Sequence, residues 1–154
     1  MTTWYGSLQN RLEENRTFCD EIKIGTGMTE YSWSDRHPYE VIAVADQKHV
    51  TVRRLDHKHV GDGCMDNKWE LVSNPNNPTT DMVKRGNYWY SKAVCTKEWL
   101  ENLPDDPEKK FEAQLWMAHN GFDYDTVMAK GSQTRLHRRN VSFGVADYYY
   151  DYEF

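Results

Sequence analysis

Residues 28–55 alternate runs of β-branched and aromatic side chains with two polar breaks, at 34–38 and 45–48, a pattern that reads as three consecutive strands joined by two turns. In the middle run, Tyr39, Val41 and Ala43 alternate with Glu40, Ile42 and Val44. Both sets are largely apolar, so this strand is expected to be central. In the third run Val50 and Val52 point one way and His49, Thr51 and Arg53 the other, as in a half-exposed strand beside the central one. The rest of the chain is expected to pack around this meander.

Trp69, Leu71 and Ser73 alternate with Glu70 and Val72 ahead of the turn-forming stretch 74–78, and residues 81–85 and 88–95 flank Gly86-Asn87, a two-residue hairpin turn. The polar, glycine-containing stretch 56–67 reads as a long loop. Trp4, Leu8 and Leu12 give residues 4–14 one apolar helical stripe, while Gly25-Thr26-Gly27 suits a bend or bulge rather than a phosphate loop. Thr96 caps a short helix through Leu103, stopped by Pro104. Asp106 caps a second one, with Pro107 at its first position and Phe111, Leu115 and Ala118 on its packing face, ended by Asn120-Gly121. Asp123 caps a further turn or two towards Gly131. Two more strands follow Gln133, and the last places Tyr148, Tyr150, Tyr152 and Phe154 on one face, a pattern expected to insert against the meander or a partner subunit. These elements predict a single α+β domain over residues 1–154: an antiparallel sheet or small partly open β-barrel of six to eight strands, with two or three helices on one face.

A chain of 154 residues is large enough to bury one core without disulfides or metals. Its net charge of −5 argues against a protein that coats nucleic acid over its whole surface, but leaves room for a local basic patch. The three cysteines, Cys19, Cys64 and Cys95, are irregularly spaced, as in a reducing compartment, and no apolar run approaches membrane-spanning length. A soluble, cytoplasmic protein is expected. Ten tyrosines and six tryptophans exceed what so small a core takes in, so rings such as Tyr5, Trp33, Tyr88, Trp89 and Tyr90 suggest an interface, and a homo-oligomer is expected.

Trp33-Ser34-Asp35-Arg36-His37, the Val41-Ile42-Ala43-Val44 strand and the closing Val141-Ser142-Phe143-Gly144 with Tyr149-Tyr150-Asp151-Tyr152-Glu153-Phe154 resemble a group of small phage and prophage proteins that carries no assigned activity. The resemblance covers roughly residues 22–55 and 141–154. It implies a viral protein inside a host cell, where small proteins often act on host machinery or defence, and it implies no cofactor.

Three constellations carry chemistry. Asp35-Arg36-His37 offers an acid beside an imidazole and an arginine that can grip a phosphate or carboxylate, although the same residues serve a turn ahead of Pro38. His57 and His59, with Asp56, Asp62 and Cys64, can be drawn as a zinc shell, but the spacing matches no zinc pattern and the loop is more simply solvated, so no metal is assigned. The basic run Lys130, Arg135, His137, Arg138 and Arg139, with Arg53 and Arg54 as possible neighbours, either binds phosphates beside stacking rings or pairs with acidic residues such as Asp105, Asp106 and those of the last strand. No partnered nucleophile is visible and no catalytic residue is assigned. The leading expectation is a non-enzymatic phage-type binding protein that sequesters or blocks a host component. Its ligand is a nucleotide-type signal or a nucleic acid, contacted by Trp33, Asp35, Arg36, His37, Arg53, Tyr90, Arg135 and Arg139. The alternatives are a protein-interaction inhibitor that turns an acidic aromatic surface on a host nucleic-acid-binding protein, and a small hydrolase using His37 or the His57 and His59 loop.

Overall fold

A computed structural model describes residues 17, 19–61, 63 and 67–150; the helix expected over residues 4–14 and the rings at Tyr152 and Phe154 lie outside them. The fold is α+β. A seven-stranded antiparallel sheet has the order β8-β7-β6-β3-β2-β1-β9 and a two-stranded ladder pairs β4 with β5. The strands are β1 Gly27–Ser32, β2 Asp35–Asp46, β3 His49–Arg54, β4 Asp56–His59, β5 Trp69–Val72, β6 Thr79–Arg85, β7 Tyr88–Thr96, β8 Ser132–Arg139 and β9 Val141–Gly144. The helices are α1 Lys97–Glu101, α2 Pro107–Asn120 and α3 Tyr124–Lys130. β8 and β9 end the large sheet without pairing, so it stays open and the barrel alternative is not realised. Among the described residues no helix is long and apolar enough to cross a membrane.

The described chain forms two compact units, one up to Ser91 and again from Arg138, the other Lys92–His137. The first holds the predicted meander, β1 to β3, with tighter turns than expected. Residues 35–38 belong to β2, opposite Ser32, Tyr31, Glu30 and Thr29, and only Trp33 and Ser34 make the turn. The Asp35 carboxylate is therefore read out on a strand, not in a loop. At the second turn the Asp46 carboxylate accepts from the Lys48 amide at 2.8 Å, which closes it over Gln47 and Lys48. Val50 and Val52 are buried as their alternation requires. With Met28, Val41, Met82, Val141 and Phe143 they form one apolar cluster, in which Trp89 packs on Phe143 at 4.5 Å between ring centroids. Trp89 thus belongs to the core, not to the surplus of surface rings. The loop expected over 56–67 is partly a strand, because Asp56–His59 pairs with Trp69–Val72 despite its polar sequence.

In the second unit two of the three predicted caps form; the Asp123 carboxylate, ahead of α3, makes no cap hydrogen bond to the backbone and accepts instead from the Thr126 hydroxyl at 2.6 Å. The Thr96 hydroxyl accepts from the Trp99 amide, and the Asp106 carboxylate from the Glu108 amide with Pro107 in the first turn. The packing face of α2 is not the expected one. Ala113 and Met117 are buried, with Cys95, Phe122 and Val127 beside Met117, whereas Phe111 and Leu115 are exposed. α2 carries apolar residues on two stripes, and periodicity does not tell which one meets the core.

Candidate ligand-binding site

Alternation along β2 sends Arg36 to one face of the sheet and Asp35 and His37 to the other, and directly opposed residues share a face. Glu30, opposite His37, therefore joins Met28, Tyr39, Val41, Val52 and Arg54 on the core face. The core face is apolar at the Met28 end and becomes polar towards the Trp33-Ser34 turn.

There Glu30 accepts from Arg139 Nε and, at 3.1 Å, from the Tyr39 hydroxyl; Arg139 Nη2 reaches the same hydroxyl at 3.5 Å. Burial would lower the Arg139 pKa, but the hydrogen bond and charge of Glu30 outweigh it and the pKa is raised. Tyr39 is also pushed up, by burial and then by Glu30. Beside this triad Arg54 Nη2 donates to His37 Nδ1 at 3.0 Å. A guanidinium only donates, so Nδ1 must be the unprotonated nitrogen, and Nε2 carries the proton towards Ser32 Oγ at 3.3 Å. Burial, followed by Arg54, lowers the His37 pKa, against the opposing pull of Glu30 and Asp35. His57 is lowered by burial and then by Arg54.

Rings wall the site. His57 stacks on Tyr148 at 3.7 Å and 11°, Trp69 meets the edges of His57, His59 and Tyr148 at 5.2, 5.0 and 4.6 Å, and Tyr148 lies 6.2 Å from His37. The β4–β5 ladder is tied to the meander by Asn77, whose amide donates to the Arg54 carbonyl and to Asp56 Oδ1, each at 2.8 Å. The end of the chain delivers Tyr148. After β9, Val145 O accepts from Thr29 Oγ1 at 2.7 Å, Asp147 pairs with Arg36 at 2.9 Å, the Tyr149 and Arg36 backbones exchange bonds, and the Tyr150 amide donates to Asn67 Oδ1 at 2.9 Å. Residues 145–150 thus pack against the meander, and among the described residues they do so through one isolated bridge, Arg36 with Tyr149.

Of the residues singled out in sequence, the structure brings His37 and Arg139 together through Glu30. Asp35 starts β2 on the same face, and Trp33 sits in the turn, 55% exposed, with a left-handed φ of 41°. Arg36 and Arg53 share the opposite face, paired with Asp147 and Glu40 at 2.9 Å each; Arg53 also reaches Ser73, and its Nε is buried without a hydrogen bond. Tyr90 lies on β7, separated from β2 by β6 and β3. Arg135 belongs to the second unit, where its guanidinium lies against Gly121. Sequence reasoning missed Glu30 and Tyr39 and treated Arg54 only as a neighbour; the even-numbered alternation of β1, read against β2, was the available signal. His57 and His59 do share a face, turned to Trp69, while Asp62 and Cys64 lie outside the described residues. No group of three or more metal-ligating side chains gathers among the described residues.

The second unit has its own cavity of about 330 Å³, floored by Leu100, Leu103, Ala113 and Met117 and rimmed by Lys110 and Tyr124. Lys110 is committed to Asp105 at 3.0 Å.

Comparison with known proteins finds no matching family model, no matching curated protein and no matching solved structure.

Proposed function

We propose that the protein is a non-enzymatic binding protein for a phosphate-bearing, nucleotide-type ligand, taken up where Arg54 and His37 meet the rings of His57, Tyr148 and Trp69. The observation that carries this reading is the state of Arg54. Arg36, Arg53 and Arg139 are each neutralised by a carboxylate, whereas Arg54 hydrogen-bonds a neutral imidazole and has no carboxylate partner among the described residues. A guanidinium left with open donors beside aromatic faces suits a phosphate with a base stacked next to it.

The same geometry weighs against a hydrolase. Ser32 and His37 approach as a nucleophile and base would, but Nδ1 of His37 receives a guanidinium where a Ser–His pair needs a carboxylate. A cation there opposes the imidazolium that base catalysis must form. The acidic, aromatic end of the chain, which a protein-interaction inhibitor would present, has Asp147 paired with Arg36 and Tyr148 stacked on His57, and this favours the ligand-binding reading. In the viral setting implied by the sequence resemblance, such binding sequesters a host signal in the cytoplasm or blocks a component that works on nucleic acid.

Titration calorimetry with inorganic phosphate, mono-, di- and cyclic nucleotides and a short oligonucleotide tests this. Binding to at least one nucleotide is expected, weakened at least about tenfold by Arg54→Gln, since a charge-assisted pair contributes about 1.5–3 kcal/mol. Arg85→Gln, at the end of β6 away from Arg54, leaves it unchanged. No heat across the panel, or equal losses for both variants, sinks the proposal.

A further inference from the structure

Helix α2 has two apolar stripes, and its own unit covers one of them. Ala113 and Met117 are 6% and 7% exposed, whereas Phe111 and Leu115 stand 60% and 45% exposed, and Ala118 is exposed as well. At 3.6 residues per turn Phe111, Leu115 and Ala118 share one side of the helix, roughly 150° around the axis from the buried pair. Residues at such i, i+4 and i+7 spacing form the ridge onto which a second helix packs. Along one flank of this ridge lie Glu108, in the first turn, and His119, in the last, at opposite ends; Gln114 lies on the other flank near the middle.

We propose that this stripe is a self-association surface, on which a second copy of the chain lays its own α2 antiparallel about a two-fold axis close to Leu115. A two-fold contact must be self-complementary, and this one is in size and in polarity, with a carboxylate set near an imidazole. Antiparallel pairing sets the large Phe111 of each copy against the small Ala118 of the other, and Leu115 against Leu115. It also brings Glu108 of one copy within about a helical turn of His119 of the other and leaves the two glutamines at position 114 facing each other. Parallel pairing would oppose Phe111 to Phe111 and Glu108 to Glu108 and align the two helix dipoles unfavourably. One helix face buries less than the roughly 800 Å² per partner of a standard interface, so the dimer is a weak one, with Kd roughly 10–100 µM.

Sedimentation equilibrium of the full chain, from roughly 5 µM to 1 mM so as to bracket that range, reads the association directly. The wild type is expected to pass from monomer to dimer. Leu115→Lys raises Kd at least about tenfold, as removal of one anchor does, while the melting temperature measured at low concentration stays put because Leu115 contributes little to the monomer's core. Phe111→Ala and Ala118→Phe each weaken the dimer, and the double variant recovers wild-type association because each copy again opposes a large residue to a small one. A wild type that stays monomeric throughout overturns the proposal and leaves the stripe to a different protein. A Leu115→Lys dimer of unchanged strength, or a double variant that fails to recover, overturns it equally.

Discussion

At His37 burial and one neighbour together set the chemistry of a side chain. Arg54 donates to Nδ1, which must be unprotonated, and burial, followed by Arg54, lowers the imidazole's pKa. Replacing Arg54 with glutamine removes a cation that lowers both His37 and His57, so both midpoints should rise. An NMR titration of the ring protons reads this; a His37 midpoint unmoved in Arg54→Gln would show that Arg54 is not the neighbour responsible. The folded pKa lies below the unfolded one, so the unfolded chain binds more protons as pH falls through about 6.5, and stability that is complete above that value declines towards the folded pKa. Melting temperatures of the wild type should therefore fall between pH 7 and pH 5 by more than those of Arg54→Gln. Trp33 illustrates the opposite case, a residue whose backbone is held at φ 41° by the turn around it, in a region that tryptophan rarely enters.

Among the elements, β1 joins the meander to the end of the chain. Its outer neighbour β9 sets Gly27 opposite Gly144, and the chain then folds back over that position. A Cβ on Gly27 would sit 2.4 Å from the Ala146 nitrogen and 2.8 Å from the Val145 carbonyl carbon, both backbone atoms. Gly27→Ala should accordingly destabilise the protein by about 1–3 kcal/mol and raise hydrogen exchange along residues 145–150, as overpacking against rigid neighbours does. Gly86 is the control. Its φ of +61° serves the β6–β7 hairpin but open space surrounds it, so Gly86→Ala should lose only about 1 kcal/mol and leave that exchange unchanged. Equal effects on exchange from the two variants would refute the packing account. Element by element, much of this was legible in advance. Hairpins, caps and helix ends depend on neighbours within a few positions, and Gly86-Asn87, Thr96, Asp106 and Gly121 act as their sequence says. β4 was not legible, because Asp-His-Lys-His has no apolar alternation and pairs through its backbone with β5, held by Asn74 and Asn77 clamping Asp56.

Within the first unit the end of the chain does the long-range work. Thr29 is buried with its hydroxyl bonded to Val145, and Arg36 has its ion-pair partner in Asp147. Deleting residues 145–154 should lower the melting temperature by several degrees, since a buried hydroxyl loses its acceptor and an arginine its carboxylate. It should also abolish nucleotide binding by removing Tyr148 from the ring wall. Binding that survives the deletion would relocate the site away from His37 and Arg54. The arginines follow the same logic of distance. Composition shows a basic run and an acidic excess, but only the fold pairs Glu30 with Arg139, Asp147 with Arg36 and Glu40 with Arg53, and leaves Arg54 without a carboxylate partner among the described residues. By itself the sequence determined the meander, the hairpins, the capped helices and the α+β class, all set by periodicity and by residues a few positions apart. Tertiary structure alone decided which stripe of α2 is buried, which face carries His37 and which charges cancel, because each of these depends on contacts between residues far apart in the chain, where local periodicity carries no information.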